Sequence, residues 1–190
     1  MQRSLTIITL LVAAIGTDIH AADYDAEVTA SRETVQEFMQ TLKKELQAGM
    51  QNGGPVNAVS VCNLTAPAIA STYSARYGWD VGRTSLKPRN PDNAPDAWQR
   101  SVLEAFEERK RAGEDPAKME YYEILSNEDD MTELRYMKAI PTAGLCLSCH
   151  GEQLDSIVKA RLETLYPDDQ ALGYRVGDIR GAFTITQPLK

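Results

Sequence analysis

The chain has 190 residues, of which 43% are hydrophobic and 25% charged, and a formal net charge of -7. That length is enough for one domain of ordinary size with its own core. The acidic balance and the lack of a basic stripe argue against nucleic acid as a partner, and are compatible with docking to a basic redox partner protein.

Arg3 supplies a positive charge, Leu5 to Gly16 form an apolar run, and Thr17 to Ala22 ends in small residues. The run is too short to span a bilayer, so residues 1–22 are expected to be a cleaved signal peptide rather than an uncleaved anchor. The mature chain is then expected to begin at Ala22 or Asp23, in the periplasm, with no membrane span after cleavage. Cleavage removes Arg3 and Asp18, so the charge stays at -7. It also removes His20, one of two histidines, and leaves His150 alone.

Val28, Val35, Phe38, Leu42 and Leu46 recur at helical spacing, predicting a helix from Glu27 to about Gly49. Its apolar face is expected to pack within the protein, a dimer contact being the alternative. Gly49 to Pro55, with Gly53-Gly54-Pro55, reads as a loop, so residues 23–55 form an N-terminal helix and loop. A second helix is expected from Val56 to Tyr77, with Val59, Cys62, Ala66, Ile69, Tyr73 and Tyr77 on one inward stripe. Pro67 cannot donate to the Asn63 carbonyl, so this helix should bend just after Cys62.

Trp79 to Leu86 suits a short strand. The proline-rich stretch from Arg83 to Pro95 is tightly turned, and a helix carrying Trp98, Val102 and Phe106 should run from Pro95 to about Arg111. Arg83 and Arg89 are candidate contacts for carboxylates, since guanidinium binds them bidentately. Met119 to Ser126 and Met131 to Ile140 read as an antiparallel hairpin turning at Asn127 to Asp130. A helix from Leu154 to Leu165, stopped by Pro167, and a last strand from Gly181 to Thr186 complete an α+β pattern.

Cys146-Leu147-Ser148-Cys149-His150 is C-x-x-C-H, the attachment signature of a c-type haem. The two sulfurs add to the two porphyrin vinyl groups as thioethers. The histidine that follows is placed beneath the iron as the proximal ligand. A zinc site would need further Cys or His ligands, of which this chain has almost none, and a thioredoxin-like redox pair has no adjacent histidine. One covalent haem c is therefore expected, held through Cys146 and Cys149 with His150 on the iron. With one histidine in the mature chain, the other side of the iron falls to Cys, Met, Lys, Tyr, water or nothing. Cys62 cannot form an internal disulfide once both other cysteines are used, so it should be buried, ligated or paired between chains.

These residues resemble the PAS-like c-type haem proteins, a family long catalogued as a domain of unknown function. The resemblance rests on Ala58-Val59-Ser60-Val61-Cys62, Ala66-Pro67, Arg83-Thr84-Ser85, Arg89-Asn90-Pro91 and Asn93-Ala94-Pro95. It continues in Cys146 to Gly151, and in Tyr174 with Gly177-Asp178-Ile179-Arg180-Gly181. It spans Val56 to Leu189 and implies a haem domain over 56–190. It also implies a PAS-like antiparallel sheet flanked by helices, with His150 and Cys62 as axial ligands. Met131, Met137 and Met119 are the competing distal ligands. An exported single-haem protein of electron transfer or redox sensing is the leading expectation. A haem-based module for NO or CO is the alternative, and the sequence shows no acid–base constellation that would mark an enzyme.

Overall fold

A computed structural model describes residues 24–126 and 131–189. The expected signal peptide with His20, and the turn expected at Asn127 to Asp130, lie outside the described residues. The chain runs α1 (Asp25–Ser60), one π-helical turn (Val61–Thr65), α2 (Ala66–Tyr77), β1 (Asp80–Thr84), α3 (Ala97–Arg111), β2 (Glu120–Ser126), β3 (Thr132–Pro141), α4 (Leu147–His150), α5 (Ser156–Leu165) and β4 (Ile179–Pro188). The four strands form one antiparallel sheet in the order β1-β4-β3-β2. This is the expected α+β architecture, an antiparallel sheet flanked by helices.

The β2–β3 hairpin pairs from Glu120 opposite Lys138 to Ser126 opposite Thr132. The last strand, β4, inserts between β3 and β1 and makes pairings such as Arg83 with Phe183. Strand alternation then sorts the side chains. Leu134, Tyr136, Phe183 and Ile185 meet Val28, Val35 and Phe38 of α1 and Ile69 and Tyr73 of α2. On the other face Met137, Ala139 and Ala182 meet Val102, Leu103 and Phe106 of α3. The start expected at Pro95 falls instead at Ala97, because Asp96 caps the helix. Its carboxylate accepts from the Gln99 N–H, and the Gln99 side chain accepts from the Asp96 N–H.

The expected loop from Gly49 to Pro55 is reduced to a two-residue kink. The helix runs on past Gly49, and only Gly53 (φ 176, ψ 16) and Gly54 (φ 65, ψ -161) leave helical geometry. The left-handed φ of Gly54 turns the chain. Pro55 opens the next arm without leaving a donor unpaired. The arms are joined by Asn57, whose Nδ2 donates to the Gly49 carbonyl at 3.2 Å. Because Val28, Val35 and Phe38 are central to the core, the N-terminal helix folds with the remainder as one unit. The end of α1 also packs on α5 through Val59, Val158, Leu162 and Tyr166, and Cys149 lies against that cluster. Among the described residues no helix is long and apolar enough to cross a membrane.

Where β4 passes the end of β1 the backbones come very close. Gly181 has φ 155, and a Cβ there would sit 2.2 Å from the Thr84 carbonyl oxygen. Gly181→Ala should therefore destabilise the protein by about 2–4 kcal/mol, through an unfavourable φ and overpacking together. The urea midpoint measures it, and a wild-type midpoint would show that β4 moves aside freely.

Candidate cofactor site

A 3-10 turn over Gly144–Cys146 leads into the single helical turn of α4, Leu147–His150. Residues three apart on such a turn share a face, so Cys146 and Cys149 are presented together, with His150 next in line. The Ala143 N–H donates to Cys146 Sγ at 3.4 Å, and Cys149 Sγ lies 3.9 Å from the Pro55 carbonyl.

His150 is held from its Nδ1 side, which lies 2.9 Å from the Ala171 carbonyl oxygen. A carbonyl only accepts, so this bond requires the Nδ1–H tautomer and leaves Nε2 with its lone pair free for a metal. The irregular stretch after Asp169 straps α4 in place. The Tyr174 N–H donates to the His150 carbonyl at 2.9 Å and the Gly173 N–H to that of Gly151 at 3.2 Å. The Tyr174 ring stands edge-on to the imidazole at 6.2 Å. Burial, followed by the nearby Arg180 and Arg89 charges, holds His150 well below the usual imidazole range, in the neutral form that ligates metal.

Cys62 lies on the π-helical turn. Pro67 lacks an N–H, and the hydrogen-bond register slips: the Ala66 N–H bonds to the Val61 carbonyl, five residues back. The bend expected just after Cys62 thus takes the form of a π turn that contains it. The α5 region pins the turn at two points, Arg161 Nη2 donating to Ser60 Oγ just before it at 3.0 Å and Tyr166, the residue after α5, hydrogen-bonding Asn63 within it. Burial pushes the Cys62 thiol up, while Arg83, Arg89 and Arg180 act in the opposite direction. The charge interactions of Cys62 with Cys146, Cys149 and these arginines place all of them in one neighbourhood. The methionines lie elsewhere. Met119 and Met137 are buried on the α3 face of the sheet, and Met131, 64% exposed, precedes the end of β3 remote from α4.

A recess of about 120 Å³ opens beside His150 on the α1 face, and Arg83, Arg89, Arg180, Ser85 and Phe183 line it. Arg83 and Arg89, the two expected carboxylate contacts, both line this recess, and their present partners differ. Arg89, 5% exposed, is engaged within the protein: its Nε donates to Asp169 Oδ2 at 3.0 Å, and its Nη2 to the carbonyls of Cys149 and Ala171. It fastens the haem-motif helix to the strap. Arg83 stands over the Phe38 ring at 5.9 Å. Arg180 donates to Ser85 Oγ at 3.1 Å and points Nε at His150 Nδ1 at 3.2 Å.

The residues present fit a covalently bound haem. Two thiols share one turn with an imidazole whose second nitrogen is free, a third thiol lies nearby, and the adjoining recess is cationic and carboxylate-sized. Arg180, Asp169 and the Ala171 carbonyl were not singled out from the sequence as site residues. Arg180 stood within a recognised motif, whereas a backbone carbonyl leaves no trace in residue identity.

Residues 20–188 match the profile of the Tll0287-like family. The match includes the part of α1 before Val56, where the motif resemblance begins. The crystal structure of the cyanobacterial heme-protein Tll0287 superposes with a TM-score of 0.67 at 22% identity, over 87% of this chain and 97% of that one. At that identity the likeness establishes a shared fold. No curated protein matches the chain.

Proposed function

The chain belongs to the Tll0287-like family, and from that membership and the geometry of the site we propose that it is an exported c-type haem protein of electron transfer or redox sensing. Cys146 and Cys149 would hold one haem through thioethers, and His150 Nε2 and the Cys62 sulfur would ligate its iron. When bound, the group supplies one-electron chemistry at iron. The chain fixes the imidazole through Ala171, packs α1, α5 and the strap around the motif, and places arginines beside it. The periplasm is the proposed compartment, on the strength of the short apolar run and its small-residue end.

The observation that carries the reading is the His150 Nδ1 bond to Ala171. It presents Nε2 as a ligand on the same turn as the two thiols. Purified protein should have an intact mass exceeding the mature polypeptide by one haem, with the colour surviving acid–acetone extraction. If extraction strips the colour, the attachment is wrong. Optical spectra in both redox states then separate two roles. Six-coordinate low-spin iron in each favours electron transfer. A ligand lost on reduction favours a module for a diatomic such as NO or CO. That second reading is supported by the burial of Cys62, which favours the neutral thiol and makes this the ligand to be given up.

A further inference from the structure

Two guanidiniums at the recess have no carboxylate. Among the described residues Arg83 takes no hydrogen bond or ion pair, and its guanidinium stands over the Phe38 face. Arg180 is anchored at one end, with Nη1 donating to Ser85 Oγ at 3.1 Å and to the Lys87 carbonyl at 3.4 Å. Its other end is frustrated. Nε points at His150 Nδ1, an atom that cannot accept while it donates to Ala171. Among the described residues, the one carboxylate in ion-pair contact with any of the three arginines is Asp169, and it belongs to Arg89. Arg83, Arg89 and Arg180 line the same recess, so three like charges face one another there. Such groups call for anions, and the recess they line, about 120 Å³, takes carboxylates rather than a macrocycle.

We infer that Arg83 and Arg180 are an anion-recognition pair that holds the two propionate carboxylates of the haem, and that Arg89 stands outside it as a clamp on α4. The inference rests on the haem reading above. Two guanidiniums match two carboxylates in number and charge, and each fork suits bidentate pairing. A carboxylate on Arg180 also withdraws its Nε from His150 and leaves the Ala171 bond as the sole partner of Nδ1. Arg180 is thereby a positioning residue for the proximal ligand.

The test is resonance Raman spectroscopy of the holoprotein, read at the propionate bending bands, with the reduction potential measured in parallel. Arg83→Gln and Arg180→Gln should each move a propionate band to lower frequency and lower the potential, because a removed cation favours ferric iron. Arg89→Lys should leave the bands in place. Where a Gln variant fails to fold, Arg83→Lys or Arg180→Lys keeps the charge, loses the fork and should still shift the band. Unshifted bands in both the Arg83 and Arg180 variants, or an equal shift in Arg89→Lys, overturn the assignment while the haem remains attached. A protein whose mass lacks the haem overturns the underlying reading instead.

Discussion

Cys62→Ser should abolish the wild-type ferric electron paramagnetic resonance spectrum and raise the reduction potential by on the order of 0.1 V, a fraction of the ~0.8 V that axial ligands span. The direction follows from charge. An anionic sulfur donates electron density and stabilises iron(III) over iron(II), so its loss favours the reduced state. The site supplies part of what a thiolate needs. Arg83, Arg89 and Arg180 each pull the Cys62 thiol toward ionisation, against a burial that otherwise favours the neutral form. Ferric iron adds the remaining positive charge. Serine keeps the size and the π turn, so the change reads the ligand rather than the fold. A wild-type spectrum retained in the variant would refute the assignment. Methionine would then have to come from Met119 or Met137, through the sheet, or from exposed Met131, which makes the outcome sharp.

What the sequence disclosed of this site follows the range of the interactions involved. The C-x-x-C-H turn is local, and its residues are contiguous in space because they are contiguous in sequence. The π turn was half legible: Pro67 dictates that the helix yields near Cys62, but whether it bends or slips register depends on the α5 region gripping Ser60 and Asn63 about a hundred residues away. The α+β class and the hairpin were legible from alternation, and the position of β4 between β1 and β3 was implied only by family resemblance. The kink at Gly53–Gly54 was read as a longer loop because glycine content marks a break but not its extent; the packing of both arms against the rest decides that. The role of Arg89 was the least legible. A guanidinium suits a propionate and a buried aspartate equally well, and only the fold brings Asp169 to it, eighty residues downstream.

Arg89→Met should lower stability by about 3–5 kcal/mol, the cost of breaking a buried ion pair from one side. For a domain of this size that corresponds to a Tm drop of roughly 10 °C. Both side chains are under a tenth exposed, so water screens little of the loss. The substitution removes three things together. Asp169 keeps its bond from the Ala171 N–H at 2.8 Å but loses its counter-charge. The Cys149 carbonyl, in the last turn of α4, loses its side-chain donor. The Ala171 carbonyl, which also receives His150 Nδ1, loses a second anchor. Arg89→Lys keeps a cation near Asp169 without the fork and should lie between the variant and wild type. Pairing Arg89→Met with Asp169→Leu removes the stranded charge, so the double variant should cost less than the sum of the singles in urea unfolding. A strictly additive cycle would mean that Arg89 acts through the Cys149 and Ala171 carbonyls alone. A single Arg89→Met variant as stable as wild type would mean that the strap holds α4 unaided, through the Tyr174 and Gly173 backbone bonds.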